Sequence, residues 1–189
     1  YPTVPACACR PGSYVRRATK RSAHPAVKGQ GGLVLPGKTK MLIEKLNWRY
    51  ATKKMDPSKA VSEDKVERIV EAARLAPTSS GLQPFEVIVV TDADVRAKIR
   101  EIAWNQAQVT DGSHLLVFAA WDNYTEERIN HMFDLVNEER GIKNEGWEAY
   151  RQMLLSTYPQ REQHVNFEHA ARQAYIGFGM AVAQAAFEG

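Results

Sequence analysis

Phe85-Glu86-Val87-Ile88-Val89-Val90-Thr91 is the stretch of sequence that decides the fold. Its central Val-Ile-Val-Val run is apolar on both faces of an extended chain, which predicts a strand buried within a sheet. A second apolar run, from His114 to Trp121, predicts another buried strand, and a helical pattern separates the two. Because two strands are too few for an independent sheet, we expect further strands from a partner chain or from sequence beyond residue 189.

Helical patterns account for most of the chain after residue 41. Ser62, Asp92 and Thr125 each precede a stripe of apolar residues and are predicted N-caps. The predicted helices start at Leu42, after Ser62, after Asp92, after Thr125, near Glu145 and near Phe167. Because helices outnumber strands, the pattern predicts an α+β fold, a three-layer α/β/α sandwich with a small mixed sheet flanked by helices. We assign residues 41–189 to one domain and expect the C-terminal part of the fold to be missing.

The charge of the chain is unevenly distributed. Residues 1–40 hold eight Lys or Arg and no Asp or Glu, whereas the other 149 residues carry 17 basic and 22 acidic residues, a net charge of −5. This tail is rich in Pro, Gly, Ala and Ser and has no helical or strand periodicity, so we predict that it is disordered. It could be a transit peptide, a basic arm for nucleic acid, or an extension upstream of Met41. We favour the extension because the amphipathic pattern begins at Met41.

Several classes of site are excluded by the same reading. Cys7 and Cys9 both lie in the tail, so we expect neither a disulfide framework nor a zinc site in residues 41–189. No apolar run is long enough to predict a membrane span. Residues 32–39 match the GxxxxGK[ST] pattern of a phosphate loop, but no buried strand precedes them and Pro36 lacks a backbone N–H. We therefore reject that motif.

The basic turn, residues 47–54, is the first candidate binding segment. It places Arg49, Lys53 and Lys54 within six residues, directly after the first predicted helix. An Arg side chain can fork onto a phosphate while a nearby Lys supplies a point charge. The turn therefore suits an anion that carries a flat polar ring.

Two further segments carry polar side chains next to the predicted strands. Residues 75–85 form a loop dense in small hydroxyls, and such loops bind ligands through backbone and hydroxyl groups. Residues 104–114, the amide segment, place Asn105 and Gln108 three positions apart. On one helical turn these two amides would face the same way and could pair with the donor and acceptor edge of a ring.

In this order and spacing, the segments resemble the flavin-dependent nitroreductase family, close to the bacterial oxygen-insensitive NAD(P)H nitroreductases. The elements that carry the resemblance are R-Y-x-T-K-K from Arg49, P-T-S-S-x-x-Q-P from Pro77 and N-Q-x-Q-V-x-x-x-S-H from Asn105. It extends over residues 41–189. The resemblance implies a homodimer that binds FMN at the subunit interface.

The resemblance also implies cofactor contacts for ten residues. Arg49 would hold the FMN phosphate, and Lys53 would lie beside the N1–C2 carbonyl edge of the ring as an electrostatic stabiliser. The other implied contacts are Tyr50 and Ala51 beside Arg49, Asn105 and Gln108 at the pyrimidine edge, and Pro77, Thr78, Ser79 and Gln173 in a wall supplied by the opposite subunit. Two positions depart from the family pattern, because many relatives have Ser at Ala51 and some have Lys at Gln108.

The activity implied by the resemblance is ping-pong reduction. NADH or NADPH would deliver hydride to flavin N5, and a nitroaromatic, a quinone or a related acceptor would then take the electrons. No side chain is predicted to be catalytic and no metal is predicted, because the cofactor carries the chemistry. The resemblance implies a cytoplasmic enzyme, or an organellar one if residues 1–40 are a transit peptide. Two alternatives stay open: a catalytically incomplete flavin-binding fragment, and a nucleic-acid-binding protein that acts through its basic tail.

Overall fold

The computed structural model describes residues 15–18, 42–141 and 143–189, with the backbone alone for the first four. The described part of the chain contains three short strands and a larger set of helices. In chain order they are β1 (Val15–Ala18), α1 (Leu42–Trp48), α2 (Glu63–Arg74), a 3₁₀ turn (Ser79–Gly81), β2 (Phe85–Val90), α3 (Ala93–Ile102), α4 (Gln108–Asp111), β3 (Leu115–Ala120), α5 (Glu126–Arg140), α6 (Glu145–Thr157) and α7 (Gln163–Glu188). The α+β class predicted from the sequence is confirmed.

The sheet has the order β1-β2-β3, and both described pairs are antiparallel. Phe85 lies opposite Ala120 and Val90 lies opposite Leu115, so β3 starts at the end of the sheet where β2 stops. The prediction of a mixed sheet is wrong for these strands. The pairing is antiparallel because α3 and α4 bring the chain back to the same end of the sheet at which β2 stops.

Strand β1 corrects part of the prediction for residues 1–40. Val15–Ala18 pairs along β2 from Val90 to Val87, so these four residues are not disordered. Residues 15–18 show no alternation of apolar and polar side chains, and backbone hydrogen bonds along an open strand edge do not require one. The other residues of the predicted tail, with Cys7, Cys9 and the rejected phosphate-loop match, lie outside the described residues.

The predicted helices are present, with shifts at their ends. Asp92 and Thr125 cap α3 and α5 by accepting the backbone N–H groups of Val95 and Arg128. Ser62 occupies the N-cap position of α2, although its side chain makes no capping hydrogen bond. In α1 the predicted apolar face is largely exposed, with Leu42, Ile43 and Leu46 at 47%, 62% and 39%, while Lys45 is buried.

The first core lies between the sheet and two helices. Val66, Val70 and Ala73 of α2 pack with Val87 and Val89 of β2, and Ala181 of α7 completes the buried cluster. The alternation along β2 places Phe85, Val87 and Val89 on this face. Strand β3 is only half-buried along its whole length, which corrects the prediction of a fully buried strand.

The second core is aromatic and joins α5, α6 and the first half of α7. Phe133 stacks on Trp147 at a centroid distance of 4.3 Å, and Tyr124 stacks on Tyr158 at 4.5 Å. The Tyr124 hydroxyl lies 2.8 Å from Nδ1 of His169. Burial raises the pKa of Tyr124 and lowers the pKa of His169, so the favoured arrangement is a tyrosine O–H donating to a neutral imidazole.

Helix α7 is held to α2 by charged groups near its C-terminal end. The Arg68 guanidinium bonds both carboxylate oxygens of Glu188 at 2.7 Å, and Lys65 Nζ donates to the Glu188 carbonyl oxygen, also at 2.7 Å. The hydrogen bonds from Arg68 lower the pKa of the Glu188 carboxyl to about 2.

Of the helices described, none has the length and apolar character needed to cross a bilayer.

Helix α7 approaches the sheet closely at Gly177. A Cβ at this position would lie 2.5 Å from Cζ of Phe85, whereas a Cβ at Gly179 would have no neighbour within 4 Å. We expect Gly177→Ala to lower the free energy of unfolding by about 1–2 kcal/mol, because the overpacking cost exceeds the gain in helix propensity. The measurement is urea unfolding followed by circular dichroism.

Gly179→Ala is the matched control, since it adds the same methyl group to the same helix. It should raise the free energy of unfolding by up to about 1 kcal/mol. Shortening the opposing ring with Phe85→Leu should reduce the cost of Gly177→Ala. Equal stability of the two glycine variants would contradict the close approach.

Candidate functional site

The basic turn follows α1 and is exposed to solvent. The Arg49 N–H donates to the Lys45 carbonyl at 3.0 Å and closes the helix. Arg49, Tyr50 and Lys53 then lie at the surface, and Tyr50 is 76% exposed. Neither the Arg49 nor the Lys53 side chain forms an ion pair with any residue the structure describes. Both cations are therefore available to an external anion.

The hydroxyl-rich loop is fixed against α7 and α6. The Ser79 N–H donates to Oε1 of Gln173 at 2.8 Å, and Gln173 is buried. The Tyr150 hydroxyl donates to Oγ of Ser80 at 2.8 Å. Ser80 has φ = +58°, in the left-handed region, and Gln83 follows with φ = +46°. Such conformations cost free energy in non-glycine residues, so the side-chain contacts are needed to hold them.

The same loop contains an unpaired buried hydroxyl. Oγ1 of Thr78 is inaccessible to solvent and has no hydrogen-bond partner among the described residues. Leaving a buried hydroxyl without a partner costs about 1–3 kcal/mol. An unpaired group of this kind next to Ser79 and Gln173 marks a position where a ligand or water can supply the missing bond.

The amide segment differs from its predicted conformation. Trp104 and Asn105 have φ = +51° and +54°, and α4 begins only at Gln108, so the two amides do not lie on one helical turn. Asn105 is exposed and its Oδ1 accepts from Nε of Arg100 at 2.8 Å. Gln108 is half-buried. The prediction that both amides face one way on a helical turn is wrong. Trp104 and Asn105 form a left-handed turn after the end of α3, so Asn105 lies outside the helical turn that begins at Gln108.

One chain of three hydrogen bonds links the residues after the basic turn to the end of the amide segment. The Val61 N–H donates to Oγ of Ser113 at 3.0 Å, and Ser113 Oγ lies 2.9 Å from Nδ1 of His114. Nε2 of His114 lies 2.8 Å from Oε1 of Glu63. His114, next to the start of β3, thus joins the end of the amide segment to the start of α2.

Helix α7 supplies one predicted site residue and a groove. Gln173 faces the loop, whereas Arg172 is exposed and bonds Glu168 at 3.4 Å. An apolar groove of about 500 Å³ lies between β3 and α7, lined by Phe118, Ala120, Phe167, Ala171, Ala174, Tyr175 and Phe178. The groove and the basic turn share no lining residue.

The structure therefore brings some predicted site residues together and leaves others apart. Thr78, Ser79 and Gln173 form one cluster. No hydrogen bond among the described residues joins this cluster to Arg49, Lys53, Asn105 or Gln108. Arg100 bonds Asn105 and Tyr150 bonds Ser80 in the candidate segments, and neither contact was predicted from the sequence. The only sequence signal for Arg100 is its spacing of four from Arg96, which many exposed helices share.

The available groups suit FMN in their chemistry. Unpaired cations match a phosphate, an outward amide N–H matches a ring carbonyl, and the orphaned Thr78 hydroxyl can pair with a polar ring edge or a ribityl hydroxyl. Within the described ranges, no three His, Cys, Asp or Glu side chains are grouped to bind a metal ion.

Comparison with known proteins gives a consistent set of matches. The sequence profile of the nitroreductase family matches residues 46–189. The Bacillus subtilis (strain 168) protein YfkO, named as a candidate NAD(P)H nitroreductase, is 32% identical over 155 residues, which are 77% of this chain and 69% of YfkO.

Solved structures share the fold. A nitroreductase family protein from Streptococcus pneumoniae TIGR4 superposes with a TM-score of 0.68 at 20% identity, covering 79% of this chain and 73% of that one. A protein from Exiguobacterium sibiricum 255-15, solved in complex with FMN, gives a TM-score of 0.64 at 16% identity, covering 77% and 70% of the two chains.

The contact between Ser79 and Gln173 can be tested without a ligand. Gln173→Met keeps the length of the side chain and removes the acceptor, so the Ser79 amide proton should exchange roughly threefold to tenfold faster with solvent. Hydrogen exchange followed by NMR or mass spectrometry measures this. Gln184→Met is the control, since its amide bonds Glu188 farther along α7. Equal exchange at Ser79 in both variants would show that Gln173 does not hold the loop.

Proposed function

Because the chain belongs to the nitroreductase family, we propose that it is an FMN-dependent NAD(P)H oxidoreductase that reduces nitroaromatics, quinones or related acceptors. The observation that carries this proposal is the pair of exposed, unpaired cations in the basic turn, Arg49 and Lys53. Two exposed cations four residues apart, with no carboxylate bonded to either, would form a local site for an anion even in a domain with a net charge of −5.

In this proposal Arg49 binds the FMN phosphate. Its guanidinium offers several N–H donors in a plane, which match two phosphate oxygens at once. The Arg49 backbone N–H already closes α1, so the side chain leaves the helix from a fixed point. Tyr50 and Ala51 follow in an extended turn, and Ala51 offers only its backbone to the ligand.

Lys53 and the amide segment would face the ring. An ammonium group near the N1–C2 carbonyl edge stabilises negative charge there by Coulomb attraction, which is strengthened where water is excluded. Asn105 and Gln108 lie on the segment that Ser113 and His114 tie to the residues after the basic turn. This link would limit the movement of the phosphate-binding and ring-binding segments of one chain relative to each other.

When bound, FMN would supply the redox chemistry, accepting hydride from NADH or NADPH and passing electrons to the acceptor. The chain's own residues would bind and orient it. Pro77, Thr78 and Ser79, with Gln173 behind them, would form the wall of the site that faces the partner's flavin. Pro77 and Ser79 are exposed, which supports this role, and the buried Thr78 hydroxyl lies between them in the chain.

A homodimer is part of the proposal because apolar side chains remain exposed on α1 and α7. Tyr175 is 75% exposed, and the other exposed large apolar residues on the two helices are Leu42, Ile43, Leu46, Trp48, Val165, Phe167, Ile176, Phe178, Met180 and Phe187. Exposed apolar surface of this extent, together with the groove beside Phe118, is typical of a protein interface. A second copy of the chain would cover it.

The cofactor assignment predicts that the purified full chain binds FMN more tightly than riboflavin. Arg49→Leu should weaken FMN binding roughly 10-fold to 100-fold, because a charge-assisted hydrogen bond is lost. It should leave riboflavin binding within about twofold, since riboflavin has no phosphate. Flavin fluorescence titration measures both dissociation constants.

Lys59→Leu is the control for the basic turn. It removes one positive charge from the same loop, but Lys59 pairs with Asp56 at 3.5 Å and is not assigned to the cofactor. Its FMN affinity should stay within about twofold of the unmodified chain. The proposed function is wrong if the unmodified chain binds neither FMN nor riboflavin and also fails to oxidise NADH or NADPH in the presence of FMN.

The homodimer predicts a solution mass of about twice 21.2 kDa. Tyr175→Asp places a charge on the exposed face of α7 and should shift the protein to the monomer, since burying an unpaired carboxylate is costly. Met153→Asp is the control, because Met153 is also exposed but lies on α6. Size-exclusion chromatography with light scattering gives the mass. A dimer that survives Tyr175→Asp would exclude this face.

A further inference from the structure

Two arginines of α3 hold the amide segment from behind. Arg96 Nη1 donates to the carbonyl oxygens of Thr110, at 3.1 Å, and of Gly112. Arg100, one turn later, donates from Nη1 to Oγ1 of Thr110 at 3.0 Å and from Nε to Asn105. Arg96 thus contacts the backbone alone, whereas Arg100 contacts the side chains of Thr110 and Asn105 and, at 3.3 Å from Nε, the Asn105 carbonyl oxygen as well.

The backbone brings Asn105 back onto the last turn of α3. The Arg100 carbonyl oxygen accepts the N–H groups of both Ala103 and Asn105, each at 3.1 Å. This closure depends on the left-handed conformations of Trp104 and Asn105. Asn tolerates that conformation better than most residues, so the sequence suits the turn.

The orientation of the Asn105 amide follows from the chemistry of its partner. A guanidinium has only donors, so the amide atom that lies 2.8 Å from Arg100 Nε must be the oxygen. The Asn105 NH₂ group then points away from Arg100, and it has no hydrogen bond to any described residue. Because Asn105 is exposed, its side chain presents two amide N–H donors to a ligand, while its amide oxygen is bonded to Arg100.

We propose that Arg100 is a positioning residue that fixes the Asn105 amide with its oxygen inward and its NH₂ outward, so that Asn105 bonds a ring carbonyl and not a ring N–H. This inference rests on the proposed function, because the ring is that of FMN. The pyrimidine edge of the flavin carries two carbonyl oxygens and one N–H, and only the carbonyls can accept from Asn105. The bond from Arg100 also polarises the amide and strengthens its donors.

The inference has a consequence for the potential of the cofactor. Reduction adds electron density to the pyrimidine carbonyl oxygens, and a donor placed on one of them favours the reduced form. Removing the guanidinium frees the amide to rotate, so the donor is no longer held in place. The midpoint potential of bound FMN should therefore fall when Arg100 is replaced.

The experiment compares four full-length chains: unmodified, Arg100→Met, Arg96→Met and Asn105→Asp. Arg96→Met is the matched control, since it loosens the same segment without touching the Asn105 side chain. Asn105→Asp keeps an oxygen for Arg100 and removes both donors. The readouts are the FMN dissociation constant, the midpoint potential of bound FMN, and the NMR signals of the Asn105 side-chain NH₂ in the flavin-free protein.

We expect Arg100→Met and Asn105→Asp to weaken FMN binding roughly threefold to tenfold and to lower the midpoint potential, while Arg96→Met changes the affinity by less than twofold. Arg100→Met should also shift the Asn105 NH₂ signals before any flavin is added. Replacing a carbonyl oxygen by sulfur, in 2-thio-FMN or 4-thio-FMN, should abolish the effect of Arg100→Met for the carbonyl that Asn105 contacts.

The outcomes separate the two proposals. If the unmodified chain binds no FMN, the proposed function fails and the ring assignment fails with it. If FMN binds but Arg100→Met and Arg96→Met behave alike, Arg100 has only a structural role and the positioning inference is overturned. Unchanged affinity and potential in Asn105→Asp would likewise overturn it, since the donors would then contribute nothing.

Discussion

The close approach of α7 to the sheet is the constraint on which the rest of the structure depends. Gly177 lets α7 lie against the Phe85 ring, and this sets the distance at which Ala181 joins the first core. Toward its start the same helix contributes Ala170 to the aromatic core. Between the two cores it carries Gln173, which holds the hydroxyl-rich loop. A helix placed farther from the sheet would lose both cores and the loop contact together, because interiors are close-packed.

Left-handed backbone recurs where the candidate site is built. Ser80, Gln83, Trp104 and Asn105 are the positive-φ non-glycine residues of the described chain, and all four lie in the two loop segments chosen as binding candidates. Each conformation costs free energy, and each segment is held by side chains from neighbouring helices, notably Tyr150 and Arg100. Strain of this kind persists only where surrounding contacts determine it, which is the condition for a site that must keep its shape before a ligand arrives.

Much of the fold could be predicted because the core follows apolar periodicity. The strand predicted at 85–91 is observed at 85–90, and the capping residues of α3 and α5 are in place. Helix α7 begins at Gln163, four residues before its predicted start near Phe167. The apolar pattern did not extend that far because Asn166 is buried but polar. Its amide bonds Asn123 at 2.6 Å and the Tyr158 carbonyl at 2.9 Å, and an apolar pattern cannot register such a residue.

The candidate site was less predictable, and the reasons are local. Periodicity assigned Asn105 and Gln108 to one helical turn, but it contains no information on the left-handed exit of α3. Arg100 has the sequence signature of an ordinary exposed arginine near the end of a helix, and only its contact with Asn105 distinguishes it. The pairing of Ser79 with Gln173 joins residues 94 positions apart, which no local pattern encodes.

The distribution of charge explains why so few cations can define a site in this domain. Residues 41–189 carry a net charge of −5, so the domain as a whole repels an anionic ligand. At an ionic strength of 0.15 M that repulsion is screened beyond about 8 Å, whereas a cation in direct contact with a phosphate is screened far less. Arg49 and Lys53 can therefore outweigh the acidic surface at short range, provided no carboxylate occupies them. Most of the other described arginines already bond acidic side chains or carbonyl groups. Arg49 forms no such bond, and the proposal that the basic turn binds an anion rests on this difference.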